Sequence, residues 1–310
     1  MTASPDDFLT VRDVWRYGVS RFSAADLAYG HGAANAMDEA TFIVLESLSL
    51  PIDQPNPFME ARLTRDERAL ILARIEERIV TRKPAPYILG RAYMHGLSFA
   101  VNENTIVPRS YIGELLVSGR LTGGTGLIAD PTAIESVLDL CTGSGCLAIM
   151  AAMAFPNARV AAVDLSPKAL EVARRNVAEY GMEEQIALYE GDLFAPLKGR
   201  TFDLILTNPP YVDAEGMDTL PPEYLHEPRM ALAGGSTGID IVARILEAAP
   251  QHLNPGGGMV CEIGRCKPAL EEAYPTLDFL WLDTEESEGE VFWIDRETLG
   301  LTRGNVRPRR

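Results

Sequence analysis

The sequence predicts a doubly wound, mostly parallel α/β sheet preceded by a small helical domain, and three observations carry that prediction. Residues 1 to about 90 place apolar side chains at helical spacing. From Ser136 onward, short apolar runs alternate with helical segments, the order in which a parallel sheet is wound. Between the last two apolar runs lies only Thr284–Gly289, too short for a helix, so those two runs are expected to pair antiparallel at the sheet edge.

The helical part starts with Phe8, Val11 and Val14-Trp15, continues over Ala34 to Leu48, and ends over Ala69 to Val80 with Leu70, Ile71, Ile75 and Ile79 on one face. Lys83-Pro84-Ala85-Pro86 is expected to stop the last of these helices, because each proline lacks a backbone donor and restricts the residue before it. Tyr93 to Val107 then alternates around Gly96-Leu97 and Asn102-Glu103-Asn104 like two short strands. The sheet strands are expected at Ser136–Cys141, Ala158–Leu165, Gln185–Glu190, Phe202–Thr207, Gly258–Ile263, Asp278–Asp283 and Val291–Asp295. Helical segments such as Leu147–Ala154, Pro167–Tyr180 and Ile239–Ala249 fall between the first five.

With 310 residues the chain is about two domains long, and 46% hydrophobic with 23% charged residues is an ordinary globular composition. Lys and Arg number 28 against 44 Asp and Glu, a net charge of −16, which argues against a protein that grips phosphate backbones and favours a basic macromolecular partner. The four arginines between Arg303 and Arg310 read as a basic, solvated tail. No apolar run approaches the roughly 20 residues of a membrane span, and the start, MTASPDDFLT, lacks a signal-peptide pattern. The expected address is the cytoplasm, with no membrane partner. Cys141, Cys146, Cys261 and Cys266 form two C-x4-C pairs that match no common zinc spacing, so reduced structural thiols and no metal are expected.

The sharpest local signal is Val137-Leu138-Asp139-Leu140-Cys141-Thr142-Gly143-Ser144-Gly145-Cys146, a strand running into a glycine turn and then a helix. Glycines let a ligand approach the backbone at the carboxyl end of a strand, where open α/β sheets bind their ligands. Asp164 ends the second strand, nineteen residues beyond Gly145, where a carboxylate can accept both hydroxyls of a ribose. Asp192, followed by Leu193, ends the third strand in the same way and could accept from an adenine amino group. Gly143-x-Gly145-x-x-Ala148 also satisfies a dinucleotide fingerprint, but Asp139 sits inside a strand that a dehydrogenase would keep apolar. A phosphate-binding P-loop is excluded for want of its G-x-x-x-x-G-K-[ST] pattern.

The fourth strand, Phe202–Thr207, opens directly into Asn208-Pro209-Pro210-Tyr211. Two prolines cannot continue a central strand, so the chain must leave the sheet there with its torsions fixed and Asn208 held at the edge that carries the glycine turn. The Asn208 side-chain oxygen and the Pro209 carbonyl can each accept one hydrogen of a substrate –NH2, while Tyr211 can pack on the flat group that bears it.

Together Asp139-x-x-x-Gly143-x-Gly145, Asp164, Asp192 and Asn208-Pro209-Pro210-Tyr211 resemble a class I S-adenosylmethionine-dependent methyltransferase acting on a planar amino or amide nitrogen. The chain is similar to the protein glutamine methyltransferases in Tyr87-Ile88-Leu89-Gly90-Arg91, Gly96-Leu97-x-Phe99-x-Val101 and Val107-Pro108-Arg109. Pro108-Arg109-Ser110-Tyr111-Ile112-Gly113-Glu114-Leu115 and Pro222-Glu223-Tyr224-Leu225-His226-Glu227-Pro228, with Ala231-Leu232-Ala233-Gly234-Gly235, resemble the branch that modifies large-subunit ribosomal protein three. Tyr111 departs from the proline frequent there.

The resemblance implies a Rossmann-like seven-stranded methyltransferase sheet with an antiparallel edge strand. It implies a substrate-recognition domain over 1–90, a hairpin linker over 91–110, a catalytic domain over 111–300 and a tail over 301–310. S-adenosyl-L-methionine is then the cofactor, held by Asp139, Cys141, Thr142, Gly143, Ser144, Gly145, Asp164, Asp192, Leu193 and Asn208, while Asn208, Pro209, Pro210 and Tyr211 serve catalysis. The expected partner is a basic ribosomal protein, with no direct nucleic-acid readout. Three alternatives are methylation of release factors, methylation of adenine amino groups after base flipping, and a non-catalytic cofactor-binding assembly factor. The acidic charge and the lack of a sizeable basic recognition domain disfavour the nucleic-acid alternative. His226 is the nearest candidate base, although a histidine in such a loop is more often a local hydrogen-bonding residue.

Overall fold

The computed structural model describes residues 4–122 and 126–300, so the arginine-bearing tail lies outside the described residues. Side-chain caps set the helix starts. Thr10 and Asp13 form a reciprocal capping box that opens α1 (Val11–Ser23), and Thr64 with Glu67 does the same for α3 (Arg65–Thr81), four residues ahead of the expected Ala69. The Asn35 side chain accepts from the Met37 and Asp38 amides, so α2 (Ala36–Ser47) begins two residues later than the apolar periodicity suggested. Arg82, at φ 59°, closes α3 in the left-handed region. The proline stretch stops α3 as expected, but it also opens a short further helix, α4 (Ala85–Leu89), because proline is accepted in a first helical turn.

The hairpin pairs β1 (Arg91–Met94) with β2 (Leu97–Ala100) through His95 and Gly96, both at positive φ as a two-residue hairpin turn requires. The second strand ends well short of the expected Val107, where the Asn102 side chain accepts from the Asn104 amide and turns the chain. Ser110 then caps α5 (Tyr111–Val117), an element that the apolar pattern did not announce.

The main sheet has the order β5-β4-β3-β6-β7-β9-β8. Its strands are β3 (Ser136–Leu140), β4 (Arg159–Asp164), β5 (Ile186–Glu190), β6 (Phe202–Thr207), β7 (Leu253–Glu262), β8 (Leu280–Leu282) and β9 (Val291–Asp295). Strands β3 to β7 pair parallel, whereas β9 pairs antiparallel with both β7 and β8. The last two strands therefore form the expected antiparallel pair at the edge, with β8 outermost and β9, running against the rest, one place in. Strand β7 begins five residues before the expected Gly258, since Leu253 pairs with Phe202 ahead of an irregularity in the Phe202–Leu204 register.

Helices α6 (Cys146–Ala154), α7 (Pro167–Glu179), α9 (Asp240–Ala248) and α10 (Lys267–Ala273) cover the sheet, with the short α8 (Ala214–Thr219) and α11 (Arg296–Gly300) at its ends. One core holds Phe99, Ile112, Leu115, Ile149 and Phe155 against one sheet face; the other holds Ile205, Val242, Ile245, Leu270 and Phe292. No helix among the described residues is long and apolar enough to cross a membrane.

The helical part is joined to the sheet part by buried charge. Arg78 on α3, with its side chain 1% exposed, pairs with Glu39 on α2 and with Glu223, which follows β6 in the chain and is itself fully buried. Arg82 adds a 2.8 Å pair to Glu223, and the Ala28 amide donates to the same carboxylate at 3.0 Å. Removing one partner from such a cluster strands the others in a low-dielectric interior. Arg78→Ala is therefore expected to cost about 3–5 kcal/mol of stability by urea unfolding, far more than replacement of the exposed Arg12, which pairs on the surface with Glu60. Equal effects of the two changes would contradict this account of the joint.

Candidate active site

Three successive strand ends build one side of the site. After β3 the backbone turns through Cys141 (φ 60°), Gly143 (φ 55°) and Gly145 (φ 79°) before entering α6. The two glycines do different work. A Cβ on Gly145 would stand 3.2 Å from the Ala173 Cβ of α7, so this position lets two helices approach, whereas a Cβ on Gly143 would meet no protein atom within 4 Å. Asp164, at the end of β4, accepts from the Gly143 amide at 2.8 Å and from the Ser166 amide at 2.8 Å. Burial raises its pKa, and those two amides pull it back. Asp192 follows β5 and is bound by Arg244 of α9 at 2.6 Å, with Leu193 beside it at φ 50°.

Cys141, Gly143, Asp164, Asp192, Leu193, Asn208 and Pro210 line a common cavity. Asp139 in β3 and Thr142, Ser144 and Gly145 of the turn are not among the cavity's walls. Asp139 is fully buried and accepts the Thr142 hydroxyl at 2.5 Å, while its second oxygen has no hydrogen-bond partner within bonding geometry among the described residues. Burial pushes its carboxyl to about 7. Ser144 is buried with its carbonyl accepting from Asn176 at 2.8 Å. The four cysteines are free thiols; burial raises the thiol of Cys146 to about 12, far from a reactive thiolate.

At the other side, Thr207 ends β6 with its hydroxyl donating to the Leu140 carbonyl at 3.1 Å, and the chain leaves the sheet at Asn208. A second depression opens here, lined by Arg109, Asn208, Pro209, Tyr211 and Tyr224 among others. It shares Ile106, Asn208 and Ala231 with the first cavity, so Asn208 stands in the wall common to both. The proline pair divides between them, Pro209 facing the depression and Pro210 the cavity.

The depression is braced by ion pairs. Glu227, buried, takes the Arg109 guanidinium through both oxygens, at 2.5 and 2.6 Å, and accepts the Val107 amide at 2.9 Å. Burial disfavours its charge, but Arg109 and the His31 ring, 3.7 Å away, outweigh burial and hold it at about 2. Arg109 lies over the Tyr224 ring at 5.5 Å, and His31 packs on the same ring at 4.4 Å. His226 instead places Nε2 2.9 Å from the Thr81 carbonyl at the end of α3 and lines neither cavity.

Two of the charged residues at the site that escaped sequence reasoning are Arg244 and Glu262. Arg244 lay on an amphipathic helix with nothing to mark it as the partner of Asp192. Glu262 is fully buried at the end of β7, inside an apolar run, and accepts the Tyr211 hydroxyl at 3.1 Å; a charged residue in a strand that buries both faces was its available signal.

Burial raises Asp139 and Glu262 alike to about 7. A raised carboxyl contributes stability that is complete below its unfolded pKa, about 4, and is lost as pH climbs through about 7. The thermal midpoint is thus expected to fall between about pH 4 and about pH 7, with Asp139→Asn flattening that limb in scanning calorimetry. An unchanged limb in the variant would contradict the assignment.

Residues 124–235 match the model of the methyltransferase small domain family. A ribosomal protein uL3 glutamine methyltransferase from Bradyrhizobium diazoefficiens is 57% identical over 93% of this chain and 91% of its own length. The protein of the same name from Burkholderia pseudomallei is 51% identical over 98% of this chain and the whole of its own. Among solved structures, a methyltransferase from Pyrococcus furiosus covers 71% of this chain and 93% of its own at 21% identity, with a TM-score of 0.44. With identities of this size over nearly the full length, the chain belongs to the ribosomal protein uL3 glutamine methyltransferase family.

Proposed function

We propose that this chain uses S-adenosyl-L-methionine to methylate the side-chain amide nitrogen of a glutamine in ribosomal protein uL3. The observation that carries the reading is the shared wall at Asn208, where a cavity with nucleoside-binding features meets a depression lined by Pro209 and Tyr211. Membership of the family supports the substrate, and a charge of −16 suits a basic protein partner.

The cavity fits the cofactor's adenosine part. Each Asp164 oxygen accepts one amide and keeps a free lone pair for a ribose hydroxyl. Leu165, 56% exposed, faces the same space as Leu193 and Ile241, apolar walls for a flat base. Asp192 already holds Arg244, so its part in base recognition is shared with that guanidinium. Gly143 leaves its side of the cavity open for close approach to the backbone.

When bound, S-adenosyl-L-methionine supplies an electrophilic methyl on a sulfonium. An amide nitrogen is a poor nucleophile because its lone pair is delocalised, so the protein's task is to hold and polarise the amide. Asn208 and the Pro209 carbonyl accept its two hydrogens and stabilise the positive charge that develops on nitrogen. Tyr211 packs on the amide plane, and the proton leaves to water. The helical domain contributes recognition, since His31 backs Tyr224 in the depression's wall. The reaction takes place in the cytoplasm, where new ribosomal proteins are available.

Methyl transfer to purified uL3, read by mass spectrometry, tests the reading with two variants that separate its parts. Asn208→Ala is expected to lose about 100- to 1000-fold in kcat while retaining much of the cofactor affinity. Asp164→Ala is expected to weaken cofactor binding by about 1.5–3 kcal/mol in calorimetry and to leave uL3 binding intact. Wild-type turnover in Asn208→Ala would overturn the mechanism, and unchanged cofactor affinity in Asp164→Ala would remove it as the ribose acceptor.

A further inference from the structure

Tyr211 is held at three points. Its hydroxyl donates to Glu262 Oε1 at 3.1 Å, its carbonyl accepts the Cys266 thiol at 3.1 Å, and its ring lies against Gly264, where a Cβ would come within 2.6 Å of a ring carbon. Gly264 is at φ 50°, so the position is built for a residue with no side chain. The second Glu262 oxygen takes the Ser110 hydroxyl at 2.7 Å and the Tyr111 amide at 2.9 Å. Ser110 follows Arg109, which lines the same depression as Tyr211. One fully buried carboxyl group thus ties two walls of the depression, although Glu262 itself does not line it.

We propose that Glu262 is a positioning residue of methyl transfer, which sets the width of the amide slot by holding Tyr211 with one oxygen and the Arg109–Tyr111 segment with the other. The proposal rests on the reading that the depression receives the glutamine amide. A slot whose walls move by about 1 Å loses the aligned geometry on which in-line transfer depends, at a cost near 100-fold in rate. Glutamine at 262 can turn its carbonyl oxygen toward Ser110 and Tyr111 and its –NH2 toward the Tyr211 oxygen, so both ties survive in neutral form.

The experiment compares Glu262→Ala, Glu262→Gln, Tyr211→Phe and the Glu262→Ala/Tyr211→Phe pair in methyl transfer to uL3, with cofactor affinity measured alongside. Glu262→Ala is expected to lose about 100-fold in kcat with cofactor affinity unchanged, and Glu262→Gln to recover most of that loss. Tyr211→Phe should cost several-fold alone and little more on top of Glu262→Ala, because the two act through one contact. Tyrosine-labelled NMR of the free protein gives a second readout: an ordered Tyr211 ring in the wild type and Glu262→Gln, and an averaged one in Glu262→Ala. Wild-type kcat in a cofactor-binding Glu262→Ala, full additivity with Tyr211→Phe, or an equally ordered ring would each overturn the proposal. If Glu262→Ala failed to fold, Tyr211→Phe with wild-type kcat would overturn it. The ring readout does not depend on which protein is methylated, so an inactive wild type on uL3 with the expected ring behaviour would count against the substrate alone.

Discussion

The site depends on a covalent constraint at the end of one central strand. Pro209 and Pro210 carry no backbone N–H, so the ladder that joins β6 to β3 and β7 cannot run past Asn208, and it ends at Thr207. A strand that could run on would carry Asn208 into the sheet. The chain is instead turned out at the carboxyl edge, beside the glycine turn that ends β3, and Asn208 becomes the wall between two concavities. Tyr211 lands where Gly264 and Gly238 leave room for its ring and its carbonyl. The positions of Asp164 and Asp192 then follow from strand register, because β4 pairs in step with β3 and β5 with β4, which brings Asp164 at the end of β4 and Asp192 just past the end of β5 to the same edge.

Buried charge supplies the second level of order. Glu223 and Glu227 lie four residues apart in the loop after β6, and each reaches a different arginine. Glu223 binds Arg78 and Arg82 of the helical domain, and Glu227 binds Arg109 at the depression. A buried ion pair adds little stability over an apolar contact, but its directional bonds admit few alternative arrangements. Here they fix the loop that carries Tyr224 between the N-terminal helices and the depression beside Asn208.

Much of this was legible in the sequence. The strand ends, the glycine turn and Asn208-Pro209-Pro210 declare themselves because strand periodicity and proline chemistry are local, and β6 and β9 fall where the apolar runs place them. The different placements within the glycine turn were not legible: Asp139, Thr142, Ser144 and Gly145 belong to the same motif as Gly143, yet Gly143 lines the cavity while Asp139, Thr142 and Ser144 are buried and Gly145 lies against Ala173. Glu39, Arg78 and Glu223 were equally hidden, since charges separated by 39 and 145 positions reveal a partnership only when folded. Arg244 shares that limit, being an ordinary residue of a helix until Asp192 arrives beside it, whereas Glu262 carried a signal in its charge within an apolar strand but not the identity of its partner Tyr211. The helix starts at Ala36 and Arg65 were set by side-chain caps that a search for apolar periodicity passes over.

The central claim, that this edge presents Asn208 to a glutamine of a basic ribosomal protein, is tested most directly by competition. Free ribosomal protein uL3 and a peptide chain release factor are mixed at equal concentration with the enzyme and isotopically labelled S-adenosyl-L-methionine, and the methylated residues are identified by mass spectrometry. The account predicts label on a glutamine side chain of uL3, with little on the release factor. Preferential labelling of the release factor, or label on any residue other than glutamine, would contradict it.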